Sequence, residues 1–226
     1  MSRASAATAA ALAAAFAALA GLVAAGELTS IDQWAIDHAM PGADFAGKPT
    51  FADAVIPLWG VQWHGALHIL SELWTLPASF TPATLVVVAA CLRLRGRVVV
   101  ALALAYVAGN AVEVLVKGTL TRPPLFEGGL HLTGFDGSYP SGHTVRIVLV
   151  ATAIAWAWPR LASWAAAWAV ASVALLLFGG QHVPSDIAGG LLIAAALVLT
   201  TSSWTRRARS TDRRPSPACR PSARAT

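Results

Sequence analysis

The sequence predicts an all-α, polytopic membrane protein: a six-transmembrane-helix bundle with short interfacial helices in its first outer segment. Three observations predict it. Hydrophobic residues make up 56% of the 226 positions and charged residues 12%, and mean hydropathy is +0.61, a balance that argues against a soluble protein. Six apolar runs approach the roughly 20 residues a helix needs to cross the hydrocarbon. Twelve of the 16 basic residues fall at run ends that share one face of such a bundle, and Lys and Arg near span ends are retained on the cytoplasmic side. Both termini are therefore expected inside.

The first run, Ala4–Ala25, follows Arg3 and is rich in alanine. Its small residues at Ala24-Ala25-Gly26 also fit a cleaved leader, which would leave five spans and an outer N-terminus. Glu27 to Glu72 is the longest outer segment. Ile31, Trp34 and Ile36, then Phe51, Val55 and Leu58, form patchy apolar faces among Asp32, Asp37, Asp44 and Asp53, which suits short interfacial helices. Trp59, Trp63 and Trp74 suit the headgroup layer. His64 and His68, four apart, would share a helical face but lack a third partner for a metal.

Leu73–Leu92 is the second run, and Arg93-Leu94-Arg95-Gly96-Arg97 a tight inner turn before the third, Val98–Val116. The fourth, Val145–Trp158, is short and carries Arg146. Arg160 separates it from the fifth, Leu161–Phe178, and Ile187–Trp204 is the sixth. From Ser202 the chain turns polar and rich in Arg, Ser and Pro, so the membrane domain is set at 1–204 and residues 205–226 are expected as a disordered basic tail. That tail could meet anionic lipid. No recognition module accompanies it, so no nucleic-acid partner is expected. Cys91 and Cys219 lie near the inner side without metal-ligand spacing.

Three outer segments hold the polar residues that could carry chemistry: Lys117 to Pro124, Pro140 to Thr144, and His182 to Asp186. Lys117 ends the third run, His143 opens the fourth and His182 precedes the sixth, so folding would bring them to one membrane face. In the last segment, Pro184-Ser185-Asp186 reads as a helix start, capped by Ser185 or Asp186, with Asp186 one turn beyond His182. A carboxylate accepting from one imidazole nitrogen fixes the tautomer and frees the other nitrogen to attack phosphorus. Simple capping is the alternative for Asp186. In the middle segment, Gly142 and His143 begin a helix whose first amides lack internal partners and attract an anion. Ser141 could donate a hydroxyl and a protonated His143 could give a proton to a departing oxygen, although Pro-Ser-Gly also makes an ordinary turn. Lys117 and Arg122 supply cations suited to a phosphoryl transition state, or they snorkel to the interface.

Taken together, these segments resemble the signature of the type 2 phosphatidic acid phosphatase family, six-helix membrane lipid phosphatases with soluble acid phosphatase and haloperoxidase relatives. The family pattern is a Lys followed by Arg-Pro, then Pro-Ser-Gly-His, then Ser-Arg and a later His with Asp four residues on. Pro140-Ser141-Gly142-His143 and His182-x-x-x-Asp186 agree fully. The resemblance implies metal-independent hydrolysis of a lipid phosphate or diphosphate at the outer leaflet of a bacterial cytoplasmic membrane, with no cofactor. By that resemblance His182 is the nucleophile that becomes phosphorylated, Asp186 its orienting partner and His143 the acid. Lys117, Arg122, Ser141 and the Gly142 amide would hold the phosphoryl oxygens. Undecaprenyl diphosphate, phosphatidic acid and phosphatidylglycerol phosphate are candidate substrates. A phosphoryl transferase of the same fold, a lipid-phosphate binding or transport protein that has lost catalysis, and a plain scaffold are the alternatives.

The chain departs from the pattern twice. Pro124 stands seven residues after Lys117, where the family has arginine, and Arg122 lies two residues earlier; Leu175-Leu176 replace the Ser-Arg expected before the nucleophile. Arg146, three residues after His143 and so on nearly the same helical face, is expected either to replace the missing cation at the phosphate or to pair with Glu113. Glu127 and Asp136, in the loop ahead of the central motif, would position or gate the substrate or simply face solvent.

Overall fold

The structure, a computed structural model, describes residues 3–40 and 63–211. Eight helices dominate it: α1 (Arg3–Ala24), α2 (Thr29–Ala39), α3 (Trp63–Thr75), α4 (Phe80–Arg93), α5 (Arg97–Thr119), α6 (Gly142–Ala157), α7 (Ala162–Phe178) and α8 (Pro184–Thr211). A small hairpin joins them, an addition to the all-α expectation. Its strands β1 (Phe126–Glu127) and β2 (Leu130–His131) pair antiparallel. Gly128 and Gly129 turn the hairpin with φ of +53° and +83°, a backbone region other residues rarely adopt. Expectations for Lys48, Phe51, Trp59 and their neighbours, and for Cys219, fall outside the described residues.

Among the described residues, five stretches are long and apolar enough to cross a membrane: Ser5–Ala24, Leu67–Arg93, Arg97–Thr119, Pro159–Phe178 and Pro184–Thr205. The fourth expected run is α6, only 16 residues long. Its Val145, Ile147, Leu149, Val150 and Ala153 are buried among the other helices, so protein covers much of its surface. The second expected run is two helices, α3 and α4, separated at Pro77 by a short 3-10 turn over Leu76–Ala78. At the other end α8 continues past Ser202, where irregular chain is expected. The hydroxyls of Ser203 and Thr205 donate to the carbonyls of Thr200 and Ser202, which satisfies these polar groups within the helix, and α8 runs through Thr211.

The bundle separates its charges end from end. The Arg93 guanidinium lies 5.4 Å from the Trp158 ring centroid, so the turn between α4 and α5 meets the turn between α6 and α7. The end of α5 and the starts of α6 and α8 are therefore at the opposite end. Three glycines set their closeness. A Cβ on Gly109 of α5 would come within 2.9 Å of Val145, and one on Gly190 of α8 within 2.7 Å of the Ser141 carbonyl. One on Gly189 would come within 2.6 Å of the Tyr139 ring. Tyr139 is buried against that bare backbone, and its other side stacks on Phe16 of α1 at 5.9 Å.

Candidate active site

The Pro140–Thr144 segment is held by its own cap and by α8. Ser141 caps α6, its hydroxyl oxygen accepting from the Thr144 amide at 3.1 Å and the Thr144 hydroxyl at 2.9 Å. The Ser141 amide donates to the Asp186 carbonyl at 3.0 Å, a direct tie between the central and last segments. Burial, and then the Asp186 charge, hold the Tyr139 phenol far above the ordinary range.

His182 is delivered by the end of α7. Gly180, at φ +71°, lets the chain reverse, and the amides of Gln181 and His182 both donate to the Leu176 carbonyl. Helix α8 starts at Pro184, so Ser185 and Asp186 lie in its first turn and do not cap it, a correction to the expected boundary. His182 Nδ1 is 3.5 Å from Asp186 Oδ2, too long for a hydrogen bond. Both atoms are buried and have no other partner, so the contact has only to tighten.

The two histidines meet. Their ring centroids are 5.8 Å apart with the planes tilted by 54°, although they are separated by 39 residues and enter from different helices. His143 lies ahead of the apolar stretch that begins at Val145. Burial, and then the neighbouring His182, Arg146 and Lys117, push its imidazole down to about 3, so it is neutral near pH 7 unless a negative group joins the site. His143 also lines a cavity of about 440 Å³ with Glu72, Leu73, Leu76, Ser79 and Gln181.

The expected cations fall into two groups. Lys117 Nζ lies 3.0 Å from Glu113 Oε1, and Arg146 NH1 lies 2.6 Å from Glu113 Oε2. Arg146 also donates to Asn110 Oδ1 at 3.0 Å and to the Ala78 carbonyl at 2.8 Å. Of the two expectations for Arg146, the structure therefore contains the Glu113 pair, with the guanidinium still one turn from His143. Arg122 turns to two acids. Its guanidinium, 3% exposed, donates to Asp186 Oδ1 at 3.0 Å and to Asp32 Oδ2 at 2.5 Å. The two carboxylates hold it beside the acid behind His182, while its Nε is buried and has no partner.

Asp32 is the residue that reading the sequence for chemistry overlooks. It receives Arg122 and both the amide and hydroxyl of Ser185, at 3.0 and 2.6 Å, so α2 is fastened to the start of α8. Its signal is positional: Asp32 shares the buried face of α2 with Ala35 and Ile36, where helical spacing calls for an apolar residue. The other expected groups lie apart. Asp136 is 2.8 Å from His131 at the exposed hairpin. His68 Nδ1 contacts the Gly179 carbonyl at 2.5 Å, and the His64 side chain falls outside the described residues.

Such a set, a His–Asp pair, a facing His and a capped glycine beside cations, has close parallels among known proteins. The PAP2 superfamily profile matches residues 95–210, just over half the chain, including both histidines, Asp186, Lys117, Arg122, Arg146 and Glu113. The chain belongs to the PAP2 superfamily. No curated protein sequence matches it. Among solved structures, it is similar to the crystal structure described as the first transmembrane PAP2 type phosphatidylglycerolphosphate phosphatase from Bacillus subtilis. The TM-score is 0.58 and the identity 15%, covering 88% of this chain and 96% of that one. That likeness shows that this PAP2 chain shares the transmembrane fold, and its apolar helices make it an integral membrane protein.

Proposed function

We propose that this protein hydrolyses the terminal phosphate of a lipid phosphate or diphosphate at the outer leaflet, without metal, through a phosphohistidine. The observation that carries the reading is the meeting of His143 and His182 at 5.8 Å in a family of phosphatases. With Nδ1 of His182 turned to Asp186, Nε2 attacks phosphorus and the bond to the leaving oxygen breaks. A protonated His143 gives its proton to that oxygen, then takes one from the water that attacks the phosphohistidine and releases phosphate. Lys117, Ser141, the Gly142 amide and Arg146 hold the phosphoryl oxygens as charge accumulates. Arg122, turned to Asp186, acts as a positioning residue.

The setting supports a lipid. The cavity beside His143 has Leu73 and Leu76 on its wall, both half exposed, so an acyl chain can stay in the bilayer while its phosphate reaches the histidines. Arg93 and Arg97 lie at the opposite end of the bundle, which supports an outward-facing site. Phosphatidic acid, phosphatidylglycerol phosphate and undecaprenyl diphosphate all meet this description. A lipid-phosphate binding protein is the second reading, favoured by Leu175-Leu176 where the family pattern has Ser-Arg. Phosphate release from a panel of these lipids by detergent-purified protein, with chelator present, separates the two. Activity that falls at least about a thousandfold in His182→Ala and about a hundredfold in His143→Ala supports hydrolysis. Equal release by parent and variants sinks the mechanism.

A further inference from the structure

Glu113 has no role in the mechanism above, yet its carboxylate lies at the centre of the proposed phosphate site. One oxygen is 3.0 Å from Lys117 Nζ and the other 2.6 Å from Arg146 NH1. A Cβ on Gly142 would collide with Cδ and both oxygens of the Glu113 carboxylate. The carboxylate therefore rests against bare backbone at the first turn of α6, where helix amides lack internal partners. Glu113 is buried, with 8% exposure, so these groups and not water compensate its charge. Two cations and a helix N-terminus around a planar oxyanion are also what a bound phosphoryl group would need.

The geometry points to Glu113 as a built-in competitor: its carboxylate occupies the phosphoryl cradle, and a ligand must displace it to reach Lys117, Arg146 and Gly142. The inference rests on the reading of those three residues as phosphate ligands. Displacement costs every ligand the same free energy, so it leaves relative affinities unchanged and sets a threshold, one that a dianionic terminal phosphate clears because it gains the most from two cations. The monoanionic phosphodiesters of ordinary phospholipids gain less, and at bilayer concentration they would otherwise fill the cradle. Glu113 thus keeps the cradle from filling with weakly held phosphodiesters.

The test uses full-length, detergent-purified protein and two probes: tungstate, a phosphate-like dianion, measured by calorimetry, and short-chain phosphatidylglycerol, measured as an inhibitor of phosphate release. Glu113→Gln keeps the side-chain shape and removes the charge; it should bind tungstate at least about tenfold tighter and become sensitive to phosphatidylglycerol. Glu113→Asp withdraws the carboxylate by one methylene and should fall between Gln and the parent. If Glu113→Gln does not fold, tighter tungstate binding by Glu113→Asp alone upholds the inference. Binding equal to or weaker than the parent's, while the parent still releases phosphate from lipid, overturns it and leaves the phosphatase reading intact. A parent that neither binds tungstate nor releases phosphate overturns both.

Discussion

Two clusters of ionic groups stand side by side in this protein, and they differ in which sign is in surplus. Around Glu113, two cations share one carboxylate, and the Lys117 side chain is 32% exposed. Around Arg122, one cation shares two carboxylates, Asp32 and Asp186, and no side chain among the three is more than 3% exposed. The first cluster has positive charge left for a ligand and a partly open edge through which one can enter. The second has carboxylate in surplus, and it fixes α2, the loop after α5 and the start of α8 in one arrangement behind His182. An arginine next to a catalytic motif is therefore not automatically a phosphate ligand; the acids around it decide.

The comparison is broken most severely from the closed side. Asp32→Ala strips Arg122 of one carboxylate and leaves the Ser185 amide and hydroxyl without their acceptor. Losing one partner of a buried ion pair costs about 3 kcal/mol or more. Thermal unfolding in detergent should show a markedly lowered midpoint, and a midpoint like the parent's would mean that this cluster does not hold the helices together. From the open side the loss should be catalytic. Arg146→Leu is expected to lower phosphate release about a hundredfold, as removal of one oxyanion-stabilising group does, with less thermal destabilisation than Asp32→Ala. Unimpaired turnover with normal expression would reduce Arg146 to a structural partner of Glu113.

The smallest effect concerns protons. His143 is held neutral by burial and by the cations around it, and a bound dianion would raise its affinity for a proton. Binding is then linked to proton uptake and must tighten as pH falls. Tungstate affinity measured from about pH 8 down to about pH 6 should rise, with calorimetric heats that depend on the ionisation enthalpy of the buffer. Affinity flat across that range would mean that the bound dianion does not bring His143 to its protonated form.

How much of this could be read in advance follows from the range of each interaction. The long apolar helices were legible because hydropathy is a local property, and the turn at Pro77 has a local cause that the run Leu73–Leu92 conceals. Ser141 as a cap was implicit in the helix-start pattern and has its Thr144 partner three residues on. The meeting of His143 and His182 was inferred from placing both at one membrane face. The direction of Arg122 was not legible, because it depends on Asp32, 90 residues away, and on packing that delivers α2 to α8. Nor was the seat of Glu113 against Gly142, which requires α5 and α6 to be in contact before the missing Cβ has any meaning.

The central claim is that His182 carries the phosphoryl group, and rapid quenching tests it most directly. Purified protein is mixed with a lipid substrate labelled in its terminal phosphate, quenched in alkali within the first turnover and digested. The account predicts an acid-labile, alkali-stable label on the peptide containing residue 182, absent from His182→Ala and diminished in Asp186→Asn. Steady turnover with no labelled protein at any quench time, or equal labelling of His182→Ala, would contradict it.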